Sequence, residues 1–141
     1  MRQYNSAQRG FTLIELVVGM AIVAILGTMA ITTYRAQITK GRRSDAMASL
    51  SSLSQSLERC YAQNFAYTGC PAVAGGTSTA TLNGYYQVSV NLDATSYTLT
   101  ATASGMQAND KTCSQFIASN VGQSAKDNLG ADQTATCWGS H

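Results

Sequence analysis

The chain has 141 residues, 11% of them charged, and a formal net charge of +2. A length of 141 residues admits one domain with an appendage, and the charged fraction falls well below the usual quarter. With Arg2 and Arg9 set aside, seven of the nine basic residues stand against seven acids, which excludes the broad basic face expected for general DNA binding.

Residues 1–10, MRQYNSAQRG, are a basic leader that ends in Gly10 and abuts an apolar run. From Phe11 to Tyr34 the stretch FTLIELVVGMAIVAILGTMAITTY contains no Lys, Arg, Asp, Asn, Gln or His, and Glu15 is its only charge. As a helix, residues 11–34 would measure about 36 Å at 1.5 Å per residue, enough to cross the hydrocarbon of a bilayer. A plain transmembrane anchor and a secretory signal are the ordinary readings of such a segment. A secretory signal, however, is cut after its apolar core, whereas here the small Gly10 stands before it. Cutting at Gly10 removes both leader arginines and leaves the membrane helix in place, with Phe11 as the new N-terminus. Glu15 poses the sharper question, because a lone carboxylate in hydrocarbon costs about 3 kcal/mol or more.

The motif Gly10-Phe11-Thr12-Leu13-Ile14-Glu15 resembles the class III prepilin signal of type IV pilins and the related pseudopilins. That resemblance implies a membrane prepilin peptidase that cuts after Gly10 and methylates the amine of Phe11. It further implies an inner-membrane assembly platform, other pilin subunits, major and minor, as partners, and residence in the inner membrane before assembly. For Glu15 it implies a counter-charge, the N-terminal amine of a neighbouring subunit in the filament. The physics agrees, since an intramembrane acid faces a partner rather than lipid, and a buried pair is costly to break from one side. The competing reading is an acid that snorkels to the interface. Many type IV pilins carry a Pro in this helix near the position of Thr32, but the only Pro here is Pro71, so a bend would come from Gly27 and the Thr32-Thr33 pair. Ala21, Ala24 and Gly27, spaced by three, would let neighbouring helices approach closely.

Four cations, Arg35, Lys40, Arg42 and Arg43, follow the apolar segment, so a bare positive-inside count favours a reversed orientation. The leader, whose cut is cytoplasmic by resemblance, and the cysteines downstream, which suit an oxidising compartment, place the N-terminus in the cytoplasm. The expected location is a single pass of the bacterial inner membrane, then the extracellular filament. Over residues 35–64 helical periodicity continues through Ala46, Met47, Leu50, Leu53, Leu57 and Tyr61, an amphipathic helix that lies against a core. Ser44 is a plausible local cap with Asp45 in its first turn, and Gly41 between basic residues could equally mark a bend. Unbroken from Phe11 to about Gln63, the helix would extend roughly 80 Å. The basic residues along it read as solvated or subunit-facing groups.

Residues 65–141 read as strands and loops. After the loop AVAGGTSTATLNG, Tyr86, Val88, Val90 and Leu92 alternate with polar residues, and Tyr97, Leu99, Ala101 and Ala103 do so again beyond a turn at Asp93 to Ser96. This predicts an antiparallel hairpin with one buried face, a third strand near Thr112 to Ala118, and a polar tail that closes at Cys137-Trp138. A long N-terminal helix whose C-terminal half packs on a small antiparallel sheet is an α+β arrangement, and it matches the pilin head that the leader implies.

Four cysteines, Cys60, Cys70, Cys113 and Cys137, allow three connectivities. The favoured pairing is Cys60 with Cys70, tying the helix end to the next loop, and Cys113 with Cys137, whose loop resembles the disulfide-bounded C-terminal region of pilins. The stretches ERCYAQNFAYTGC and CSQFIASNVGQSAKDNLGADQTATCW are most like those of PilE-type minor pilins. No CxxC pair exists and the single His is His141, so neither a metal nor a cofactor is implied. Gly75-Gly76 is followed by Thr and Ser rather than Lys and a helix, which rules out a phosphate loop, and no positioned base or carboxylate dyad points to an enzyme. The reading is a pilus subunit, a minor pilin of motility, adhesion or DNA uptake. A type II secretion pseudopilin or a tip-displayed binding module for a surface or nucleic acid is the alternative.

Overall fold

The computed structural model describes residues 10–70 and 79–139, apart from the side chains of residues 29, 30 and 32. The leader with Arg2 and Arg9, Pro71, Gly75-Gly76, the Thr32 side chain and His141 lie outside the described residues. The chain divides into two compact units, Met1–Gln37 and Ile38–His141.

Helix α1, Leu13–Asn64, is a single α-helix of 52 residues that takes part in both units. In the first unit its apolar side chains point in every direction, and Leu13, Ile14, Leu16, Val17, Met20, Val23 and Leu26 are all exposed. The most apolar 18-residue window has a mean hydropathy of 2.4, and none of it is buried within the chain. A helix apolar on all sides draws its cover from outside its own fold, from lipid or other helices.

In the second unit the same helix becomes one-sided. Ala46, Leu50 and Leu57 are fully buried, Met47, Leu53 and Tyr61 pack beside them, and Ser52 and Glu58 stay exposed, so the predicted stripe is the core face. Gly41 does not interrupt the helix, and Ser44 is no cap, because helical residues surround it on both sides. Asp45 is buried, not a first-turn surface acid. The helix ends where Phe65 takes a left-handed conformation, φ 54°, with its amide donating to the Tyr61 carbonyl at 2.7 Å.

The sheet is an antiparallel meander of five strands in chain order: β1, Thr79–Ala80; β2, Tyr86–Leu92; β3, Tyr97–Ala103; β4, Gln115–Ser119; and β5, Gly122–Lys126. The predicted hairpin is β2–β3, and the predicted third strand is β4. One inward row of partners runs Val88, Ala101, Phe116 and Ala125, so each large side chain sits between small ones. Edge-on aromatic contacts of Phe116 with Tyr86 at 5.6 Å and Trp138 at 5.5 Å complete this layer.

The polar tail is more structured than its composition suggests. Within it lie β5 and a short helix α2, Thr134–Cys137, while a 3-10 turn, Gly105–Asn109, fills the connection before β4. Strand GQSAK buries little besides Ala125, so it carries no apolar alternation to announce it. Its free edge is covered by the tail itself. Gln133 donates its amide to the Ala125 carbonyl at 2.8 Å, the Ala125 amide donates to Thr134 Oγ1 at 3.0 Å, and Trp138 Nε1 donates to the Ser124 carbonyl at 2.7 Å. Disulfides join Cys60 to Cys70 and Cys113 to Cys137, and none of the four cysteines is free. The first closes the helix end onto the following loop, and the second ties the tail to the start of β4.

The buried tyrosines Tyr67, Tyr86 and Tyr97 report on this packing. Burial pushes the Tyr67 hydroxyl up to about 12, helped by the Glu58 carboxylate to which it donates at 3.1 Å. Burial likewise raises Tyr86 to about 12, against the opposing hydrogen bond from Gln107. Both values lie above the ordinary 10, so the neutral form is favoured by the fold. Their contribution to stability is fully present below pH 10 and is lost as pH rises towards 12. A spectrophotometric tyrosinate titration of the native chain is expected to show three late-ionising tyrosines, since burial raises Tyr97 as well; ionisation of all seven near pH 10 would contradict the packing.

Candidate functional site

The start of α1 brings together Gly10, Phe11 and Glu15. Gly10, Phe11 and Thr12 precede the helix and are exposed, so the Gly10–Phe11 peptide lies in accessible, non-helical chain. A Cβ on Gly10 would meet nothing within 4 Å, so this chain itself imposes no size limit there. Any demand for a small residue belongs to what binds it.

Glu15 closes a reciprocal cap. Its Oε2 accepts from the Thr12 amide at 3.0 Å and from Thr12 Oγ1 at 2.8 Å, while the Glu15 amide donates to Thr12 Oγ1 at 3.3 Å. This is a capping box, in which the acid three residues after the cap satisfies donors that a helix start would otherwise leave unpaired. The T-x-x-E spacing ahead of an apolar run is its signal in the sequence, and reading Glu15 only as a charge in lipid passes over it. Below the cap an open groove is lined by Phe11, Glu15, Leu16, Gly19, Met20 and Val23, and Gly19 leaves room along it.

In the second unit the charges sort into internal and external sets. Arg43 and Asp110, 67 residues apart in sequence, form a buried two-pronged pair, Nε to Oδ2 at 2.7 Å and Nη2 to Oδ1 at 3.0 Å. Asp110 also accepts from Gln107 Nε2 at 3.1 Å and from the Cys113 amide at 3.3 Å. Gln107 Nε2 reaches the Thr39 carbonyl as well, at 3.3 Å, so the 3-10 turn is pinned to α1. A second buried acid, Asp45, accepts from Thr81 Oγ1 and from the backbone and side-chain nitrogens of Asn83. Arg43, expected to be solvated or subunit-facing, and Asp45, expected in the first turn after a Ser44 cap, are therefore fasteners of the fold. Sequence gives no sign of this because the partners sit on distant elements.

The external set is the larger, and it includes the exposed Glu58, Arg59, Asp93 and Asp132. Lys40, Lys111 and Lys126 are exposed, and the Arg42 guanidinium lies 4.9 Å from the centre of the Tyr85 ring. The Lys111 carbonyl accepts from the Asn128 amide at 3.0 Å, joining Lys111 to the loop that follows Lys126. Outward residues of the sheet, such as Ser89, Thr98, Thr102 and Gln115, are uncharged. Among the described residues no group of three or more His, Cys, Asp or Glu side chains converges on a metal site.

Residues 5–31 match the family model for the prokaryotic N-terminal methylation motif, and residues 32–117 match the model described as "Type IV minor pilin ComP, DNA uptake sequence receptor". A fimbrial protein of Neisseria meningitidis serogroup B is 30% identical over 88 residues, covering 62% of this chain and 52% of that protein. Fimbrial protein EcpC of Eikenella corrodens is 32% identical over 100 residues, 70% of this chain and 64% of the relative. The type IV major fimbrial protein FimA of Dichelobacter nodosus is 38% identical over 56 residues, 40% of this chain and 36% of the relative. The chain thus spans between about a third and two thirds of the length of the curated relatives it matches.

The buried pair makes a prediction about stability. Arg43→Ala leaves the buried Asp110 side chain without its counter-charge, and is expected to cost about 3 to 5 kcal/mol in urea unfolding. The double variant Arg43→Met, Asp110→Asn removes both charges and should recover part of that loss. Equal instability of the single and double variants would show that the charge pairing is not what fastens α1.

Proposed function

The chain belongs to the type IV minor pilins whose family model bears the description ComP, DNA uptake sequence receptor, and from that membership we propose that it is a processed, membrane-anchored pilus subunit whose head takes up duplex DNA. One observation carries the reading: the methylation motif and the minor-pilin domain follow one another directly on a single chain, residues 5–31 and 32–117. The motif supports a prepilin peptidase that cuts between Gly10 and Phe11 and methylates Phe11. The accessible, non-helical junction suits such a cut. The family is one of structural pilins, and the arrangement of side chains gives no reason to add catalysis.

Glu15 has two successive roles in this proposal. In the single subunit it caps α1 through Thr12. In the filament it draws on a neighbouring Phe11 amine, and the groove beside it accepts the apolar helix of that neighbour. Both roles keep the carboxylate partnered in a low-dielectric setting.

For DNA, a receptor of few contacts replaces the broad basic face that the composition excludes. Lys111 and Lys126 supply phosphate contacts, and the exposed amide side chain of Asn128, two residues after Lys126, is of the type that reads base edges. Asp110 and Asp45 are consumed internally and do not cancel these lysines, although Asp132 interacts electrostatically with Lys126, which leaves Lys111 the freer cation.

Two experiments test the proposal. Glu15→Val is expected to leave insertion and leader removal intact while this subunit falls in sheared pili, read by immunoblot of fibres beside membranes. Undiminished incorporation would reduce Glu15 to a helix cap. For DNA, the full chain in detergent should bind a fluorescent duplex in anisotropy assays. Replacing Lys111 and Lys126 with Ala should make the slope of log affinity against log salt shallower by about 2. No binding at low salt, or an unchanged slope, would remove DNA from the reading.

A further inference from the structure

Filament assembly and DNA contact leave one charge pattern unexplained. Arg35, Lys40, Arg42 and Arg43 follow the apolar segment on the side assigned to the outside, where cations are not normally gathered. The structure takes Arg43 out of that cluster by burying it against Asp110. It takes the nearby acids out as well, since Asp110 holds Arg43 and Asp45 is bonded to Thr81 and Asn83. Lys40 stays exposed, Arg42 stays half-buried over Tyr85, and among the described residues no carboxylate pairs with either.

Their position along α1 names the counter-charge. Lys40 and Arg42 come six and eight residues after Tyr34, the last residue of the apolar run, about 9 and 12 Å at helical rise. Long cationic side chains on that stretch reach back to the phosphate layer of a membrane that the run crosses. The Tyr85 ring holds the guanidinium face of Arg42 and leaves its N–H edge for phosphate oxygens, while Lys40 acts as a point charge.

We propose that Lys40 and Arg42 bind the phosphate groups of anionic phospholipids, seating the base of the head on the outer face of the inner membrane while the subunit awaits assembly. The proposal rests on the membrane-anchored reading above. Seating gives the cations a partner in the membrane state, and extraction into a filament has to break it.

The test is a lysine-acylation footprint, read by mass spectrometry, on the full chain in vesicles of phosphatidylcholine with or without phosphatidylglycerol. Lys40 is expected to label about fivefold more slowly in the anionic vesicles, with high salt restoring its rate and Lys126 unaffected. Arg42→Gln should weaken the protection of Lys40. Equal labelling of Lys40 in the two lipids overturns the proposal, as does an equal slowing of Lys126, which would mean general adhesion of the head. Protection of Lys40 by duplex DNA in neutral vesicles to the same degree would overturn it in favour of a nucleic-acid surface. A chain that carbonate strips from both vesicle types would overturn the anchored reading and the lipid site together, whereas an inserted chain with unprotected Lys40 overturns the lipid site alone.

Discussion

The buried pair of Arg43 and Asp110 is the constraint on which the head depends. Core side chains of α1 press Leu50 and Leu57 onto the sheet, but apolar burial has no direction and would tolerate a sliding helix. A two-pronged guanidinium–carboxylate contact does not, because both bonds exist at one register only. Asp110 also holds the Cys113 amide, so the register of α1 passes directly into the 3-10 turn and the disulfide that secures the tail. Asp45 fixes the same stretch of helix to the turn before β2. Two acids thus orient a helix that must serve two solvents.

Those two solvents explain the peculiar composition of α1. Its first part needs apolar side chains on every face, and its second part needs a stripe. A charge inside the first part is tolerable only if its bonds are made locally. Glu15 meets that condition by capping its own helix through Thr12, which also answers why an acid stands one turn from the start. The same carboxylate remains at the helix terminus, where a cationic amine from another subunit can approach it.

Economy of charge shapes the surface. When two acids are spent on internal bonds, a near-neutral head presents more cationic surface than its net charge suggests. Lys111 and Lys126 border the tail, whereas Lys40 and Arg42 belong to the helix just beyond the apolar run.

The sequence by itself determined the methylation motif, the apolar span, the amphipathic stripe of α1, the β2–β3 hairpin and the resemblance to pilins, because each rests on a local period or a contiguous motif. Tyr86, Val88, Leu99 and Ala101 announce their face by alternation alone. The pairing of cysteines was narrowed by resemblance and not by spacing, since four cysteines are equally free to pair in three ways. Tertiary structure decided what has no local period. Strand β5 holds its place through backbone bonds to β4 and to the tail, which a sequence such as GQSAK does not display. Arg43 and Asp45 look like surface charges until folding brings Asp110 and Thr81 to them across 67 and 36 residues. Long-range electrostatic pairing is a property of the closed chain, and it set which cations were left at the surface.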